Sequence, residues 1–409
     1  MRAKMKILFV ADVSIKNVIG GAERVLYEQS CRLAEKGHEA FIITRKLPFH
    51  ISSDEFINHV HEFRYNIKQF NFITFILSSI LNSIKLFSRL EEENSFDIIN
   101  FHQPFSAFGI NLASKSKKIR KVYSCHSLDF EEFLTRNPNP SQLLPRIGYR
   151  INSAIRKLNE RFSISKSDIV IVASDFVKNK LIEYHKISPK KIYIRPYGVD
   201  LKKFKFNENK HAVRSELGLP EERFILFTVR NLVPRMGLEN LVYAMKEAIK
   251  SVENIYLIIG GEGKLRTKLQ DLISEFNLVN FVKLQGFIPE ENLPLYYQAA
   301  DFFILPTRCL EGFGLVTLEA LACGTPVLGT PIGGTKEILG KFDPSFLFKD
   351  ISPEVLAELI IKKYRYYKAR PDAYKQLSQG CRDFVEKNYD WEKNIEEIEV
   401  LFSDLIKAE

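Results

Sequence analysis

Glu311 and Glu319 stand in the most chemically explicit stretch of this 409-residue chain, ILPTRCLEGFGLVTLEALACGTPVLGTP over residues 304–331. Residues 301–306 form a short β-branched and aromatic run ending at proline, which predicts a buried parallel strand. Residues 307–313 follow as a loop, in which Gly312 and Gly314 bracket Phe313. Residues 315–323 have helical periodicity, closed by Gly324 and Pro326. A strand, a glycine loop and a helix start make an anion site: the first helical amides are unpaired, and glycine lets a phosphate approach the backbone. Two carboxylates beside a phosphate would repel it, so they are expected to face hydroxyl groups, which donate to carboxylate oxygens. Hydroxyls, phosphates and hydroxyls in that order describe a nucleotide sugar.

EGFGLVTLE followed by ACGTPV resembles the Glu-x7-Glu signature of glycosyltransferase family 4, and the resemblance runs along nearly the whole chain. It implies an α/β fold of the GT-B type, two Rossmann-like parallel-sheet domains facing a central cleft. The implied activity is a retaining, metal-independent transfer of a sugar from a nucleoside diphosphate (UDP-sugar or GDP-sugar) to an acceptor hydroxyl. No cofactor or metal ligand is expected. By the same resemblance Glu319 holds the ribose and Glu311 a donor-sugar hydroxyl, with the amides of Phe313, Gly314 and Leu315 near the sugar and the distal phosphate.

Other positions enter through the same likeness. The loop of residues 19–23, Ile19-Gly20-Gly21-Ala22-Glu23, lacks the dinucleotide G-x-G-x-x-G spacing, and the amides of Gly20 and Gly21 are expected to border the donor. His102 and His126 each follow a strand, where a parallel sheet places its ligand crevice; His126 is the preferred catalytic histidine, positioning the sugar. After the strand at residues 224–229 the family carries an arginine and then Lys-Gly. Here Met236 stands at the lysine, and Arg235 and Arg230 become the candidate cations for the leaving diphosphate, their forked donors suiting phosphate. Lys264 ends a glycine turn beside the nucleotide, and Phe287 lies in the stretch expected to meet the base. Tyr197 replaces an asparagine in the RPYGVD segment.

These residues need two αβ layers to hold them. Length predicts two or three domains, and a 45% hydrophobic fraction supports full cores. The family resemblance implies a division into residues 1–205, completed by a returning helix at 386–409, and residues 206–385 for the nucleotide sugar. Five cysteines without a C-x-x-C pair fit a reducing cytosol. The basic, then apolar start is expected to be a first strand and not a signal peptide, since Asp12 interrupts it.

A net charge of +9 suits an anionic substrate or an anionic membrane surface, and no nucleic-acid-binding pattern accompanies it. Residues 70–90 are amphipathic and expected to pack as a surface helix, with interfacial membrane docking as the alternative. Residues 144–162 combine Leu144, Ile147, Ile151, Ile155, Leu158 and Phe162 with Arg146, Arg150, Arg156, Lys157 and Arg161, a candidate for anionic lipid headgroups or an ordinary solvated helix. The expected partners are therefore a nucleotide-sugar donor, a glycan or lipid-linked acceptor of surface polysaccharide or glycolipid synthesis, and an anionic membrane. The expected location is cytoplasmic, peripheral on the inner face. Alternatives are an epimerase or phosphorylase of the same fold, or a membrane-associated binding protein with lapsed catalysis.

Overall fold

Unbroken apolar runs such as IVIV and FFIL are buried on both faces, as parallel strands covered by helices must be. The computed structural model describes residues 3–18, 20–68, 70–137 and 140–408; Met1, Arg2 and Ile19 lie outside them. Its strands are β1 Lys6–Val10, β2 Glu39–Arg45, β3 Asp54–Ile57, β4 Val60–Tyr65, β5 Ile98–Phe101, β6 Arg120–Cys125, β7 Ile169–Val172 and β8 Ile192–Ile194, then β9 Phe224–Val229, β10 Ile255–Gly260, β11 Val282–Gly286, β12 Phe302–Leu305 and β13 Val327–Gly329.

The chain divides into two units, Met1–Pro196 with Trp391–Glu409, and Tyr197–Asp390. In the first, the sheet order is β3-β4-β2-β1-β5-β6-β7-β8, parallel throughout except for β3, which runs antiparallel to β4. Their turn, Asn58-His59, has both residues at positive φ, as a two-residue hairpin requires; this hairpin has no counterpart in the sequence reading. Right-handed crossovers place the helix Gly21–Glu35 on one face, and the helices Phe72–Asn94, Pro104–Leu112 and Leu143–Ser165 on the other, because the chain reverses direction across the sheet between β4 and β5.

The second unit has the order β11-β10-β9-β12-β13, all parallel. In such sheets a ligand crevice opens beyond the carboxyl ends where the strand order reverses. That point lies between β1 and β5 in the first unit and between β9 and β12 in the second.

The boundaries fall at 196/197 and 390/391 rather than at 205/206 and 385/386. Residues 197–205 are tied into the second unit: the Val199 amide donates to Tyr389 O at 2.9 Å, and Arg382 Nη1 donates to Phe204 O at 2.6 Å. The first helix begins at Gly21 rather than at residue 24, so Gly21 lies in its first turn with Gly20 as the cap.

Candidate functional site

The loops leaving β9 and β12 are joined by one buried ion pair. Arg230, the residue after β9, points Nη2 at Glu311 Oε2 at 2.5 Å, with side chains 7% and 11% exposed. Thr307 Oγ1 donates to the same oxygen at 3.1 Å. Behind the guanidinium, Met236 Sδ accepts from Nη2 at 2.9 Å and Nε at 3.2 Å. The methionine that replaces the expected lysine thus backs Arg230.

Arg235 turns toward the other loop and donates Nη1 to Leu310 O at 2.7 Å, while its own carbonyl accepts from the Arg308 amide at 2.8 Å. Leu310 has φ +59°, a strained conformation for a residue with a bulky side chain and one that concentrates at functional loops. Gly237 lets these loops close: its φ is +72°, and a Cβ there would stand 1.8 Å from Pro306 O.

Gly314, at φ +92°, begins the helix Leu315–Ala322 without a side-chain cap, so the first amides carry the partial positive charge of a helix start. Glu319 lies inside that helix, 4% exposed, and accepts from the Tyr297 hydroxyl at 2.8 Å. The loop ring of Phe313 is 7% exposed and packs edge-on against Tyr197 at 5.3 Å. Phe313 therefore offers its backbone, and Tyr197 serves as a support for that ring.

The glycine turn after β10 joins the same end of the sheet. The Arg230 amide donates to Gly260 O at 3.0 Å and the Gly261 amide to Gly286 O at 2.7 Å, which brings Lys264 and Phe287 beside the β9 loop. Both side chains are exposed, Phe287 by 60%.

In the first unit, His102 follows β5 and His126 follows β6; their rings meet at 3.1 Å, Nδ1 to Nε2. Such a bond has one proton between two nitrogens, so at least one ring is neutral along it. Burial pushes His126 down to about 4, opposed by the negative charge of Glu132, and holds His102 well below the usual range. Near neutral pH this is an uncharged pair, suited to hydrogen bonding and not to cationic binding. Asp12 follows β1 and its amide donates to the Gln103 side chain. Burial raises its carboxyl, against the pull of Arg45.

Gly20 and Gly21 start their helix as expected of an anion site, but the chain supplies the anion: the Glu23 carboxylate accepts from the amides of Glu23 and Gly20. Ile19 of that loop is outside the described residues.

The sequence reading missed Tyr297, Thr307 and Asp12. Thr307 could have been suspected from its place four residues before Glu311, but Tyr297 lies 22 residues before Glu319 in another helix and carries no local signal.

Comparison with known families decides the class. The Glycosyltransferase Family 4 model matches residues 19–203, and the Glycosyl transferases group 1 model matches residues 209–378. The chain belongs to glycosyltransferase family 4. This family 4 glycosyltransferase is 24% identical over 392 residues to N-acetyl-alpha-D-glucosaminyl L-malate synthase of Bacillus anthracis, covering 95% of each chain.

Among solved structures, sucrose-phosphate synthase from Thermosynechococcus elongatus matches with a TM-score of 0.83 at 22% identity, over 99% of this chain and 100% of that one. Anabaena HepE, solved in complex with UDP-glucose, matches with a TM-score of 0.75 at 18% identity, over 98% and 100%. These likenesses show the fold, which is GT-B.

Proposed function

We propose that this glycosyltransferase takes its sugar from a nucleoside diphosphate, held by the second unit, and transfers it with retention to a hydroxyl of a glycan or lipid-linked acceptor. The observation that carries this reading is the buried Arg230–Glu311 pair at the strand-order reversal, three residues before the uncapped helix start at Gly314. Arg230 and Thr307 both engage Oε2 of Glu311, which leaves Oε1 for a donor-sugar hydroxyl. Glu319, oriented by Tyr297, is assigned the ribose. The amides of Gly314 and Leu315 and the side chain of Arg235 are assigned the diphosphate, with Arg230 in support. Lys264 and Phe287 are assigned the nucleotide's outer side. HepE, a structural neighbour, was solved with UDP-glucose, which supports a donor of this class.

In this reading the bond between the anomeric carbon and the diphosphate oxygen breaks, and the acceptor oxygen bonds to the same face of the sugar. The acceptor proton passes to the departing phosphate, so no protein nucleophile is required. Arginines and helix amides aimed at the leaving group stabilise the charge that develops there. They are proposed to do so without a metal ion. His126, neutral by virtue of its burial, is proposed to orient the sugar. The five free cysteines support a reducing compartment.

The test is a thermal-shift panel of UDP, GDP, ADP and their common sugar conjugates, each with and without EDTA. A ligand that binds only the folded state raises the midpoint. A rise with one nucleotide that survives EDTA is expected, and no rise with any of them would overturn the donor assignment. Proton NMR of the product from an α-linked donor is expected to show an α linkage; a β linkage would refute retention.

A further inference from the structure

Two helices of the first unit expose apolar stripes and bury polar side chains beneath them. In Leu143–Ser165, Asn159, Glu160 and Ser163 are buried, and Arg156 bonds both oxygens of Asp129 at 2.9 Å beneath the helix. The apolar stripe faces away: Leu144 is 81% exposed, Ile151 54% and Leu158 65%. The first half of Phe72–Asn94 does the same, burying Ser78, Ser79 and Ser83 while Ile73, Leu77 and Leu81 stand exposed; its second half buries Phe87 and Leu90 in the core.

A soluble helix normally turns its stripe inward. Here the interior polar side is fixed by specific bonds, such as Glu160 with the Asp129 amide and His185 Nε2, each at 2.9 Å. Rotating the helix to hide its leucines would break them.

The two stripes belong to one surface. The helix Pro104–Leu112 lies between them in the same layer, with Phe75 against Phe105 at 5.8 Å on one flank and Phe108 against Phe162 at 4.9 Å on the other. Gly109 sets the closeness: a Cβ there would meet Ser83 Oγ at 2.4 Å.

Charge then selects the occupant. Arg146, Arg150 and Arg161 are exposed around the apolar stripe, and no acidic residue among the described residues pairs with them. The only acidic residue of that helix, Glu160, is buried. On the other helix Lys85 is exposed, while Arg89 lies 4.0 Å from Glu93 and the helix ends in Glu91, Glu92 and Glu93, so the basic character belongs to Leu143–Ser165.

We infer that this face docks on a lipid bilayer carrying anionic headgroups, with the leucines and isoleucines entering the interface and the arginines meeting phosphate. Basic residues ringing an exposed apolar stripe fit that boundary. The helix Phe72–Asn94 contains a segment long and apolar enough to cross a membrane, yet its serines and its fit against Gly109 hold it in the layer, so it lies along the bilayer. This inference does not depend on the donor chemistry.

The experiment is flotation of the full chain with vesicles of phosphatidylcholine alone or mixed with phosphatidylglycerol, alongside light scattering without lipid. The wild type is expected to float with the anionic vesicles and not with the neutral ones. Arg146→Gln/Arg150→Gln/Arg161→Gln should weaken partitioning by on the order of a hundredfold. Ile151→Glu/Leu158→Glu should abolish it, with thermal midpoints unchanged because these side chains are exposed. Wild-type and variant chains floating alike, or no flotation at all, would overturn the inference. Lipid-independent self-association lost in the same variants would also overturn it, assigning the face to a second copy of the chain.

Discussion

Arg230 and Glu311 form a buried ion pair, and this sets what their removal does. Breaking a buried pair by neutralising one partner leaves the other charge without compensation. Arg230→Gln should therefore cost about 3 kcal/mol of stability, read as a lower denaturation midpoint, in addition to a loss of turnover. An unchanged midpoint would mean that the pair is more hydrated than its burial indicates. Met236 gives a sharper prediction. Met236→Lys restores the residue type expected from the family, but its ammonium would enter a space where Sδ now sits 2.9 Å from Arg230 Nη2. The variant should melt at lower temperature without ligand and show a larger rise with a nucleoside diphosphate than the wild type, because the anion would relieve the repulsion.

The histidines add a pH dependence. His126 titrates near 4 in the folded chain and near 6.5 when unfolded. The unfolded state therefore binds its proton first on acidification, so stability is complete above 6.5 and declines as pH falls toward 4. His126→Gln should flatten that part of the profile in urea melts at stepped pH. At this scale Glu311 and Glu319 were singled out by residue type and spacing, and the two arginines by the family resemblance alone. Their partners were not: Tyr297 bonds Glu319 from another helix and leaves no periodic trace, and Thr307 carries only its spacing of four residues before Glu311.

Elements carry a different kind of constraint, since the loops meet the sheet through backbone and not side chains. Gly237→Ala would put a methyl group against the Pro306 carbonyl and force φ +72° on a residue with a Cβ. Neither the carbonyl nor the turn can yield without moving the Arg235 loop. Gly314→Ala also imposes a left-handed conformation, but its methyl would meet Thr335 Oγ1 at 2.5 Å, a side chain able to rotate. The first substitution should therefore lower the melting midpoint more than the second; the reverse order would show that the β9 loop is softer than its contacts imply.

The strands at 224–229 and 301–306 were legible to within a residue at each end, because buried parallel strands read as apolar runs, whereas β3, β4 and β13 were not read at all. The orientation of helix Leu143–Ser165 was not. Periodicity reports that a stripe exists and not which way it faces; what turned this one outward was Asp129 and His185, outside the helix in sequence, which bond its Arg156 and Glu160 on the polar side.

At the scale of the molecule, the chain returns to its first unit only at the end. The division at 390/391 gives that unit the helix Trp391–Lys407, whose Trp391, Ile395, Ile398 and Phe402 are all buried. Burying side chains of this size contributes about 2 kcal/mol each, and together they match the roughly 5–15 kcal/mol that separates a folded domain from its unfolded state. Polar bonds fix the seat: Asn394 Nδ2 donates to Pro196 O at 2.6 Å, and His38 Nε2 lies 3.4 Å from Glu399. The sequence reading placed a helix at the end of the chain, and only the family resemblance said where it belonged, because a helix does not name the surface that covers it. A chain truncated after Asp390 should thus lose its first unit selectively. Hydrogen exchange is expected to become fast in β1, β2 and the helix Gly21–Glu35 while β9 to β13 stay protected, and the midpoint of the surviving unit should still rise with the nucleoside diphosphate. Persistent protection of β1 and β2 would mean that the sheet of the first unit is stable without its last helix, and that the return of the chain serves to tether the units and not to complete a core.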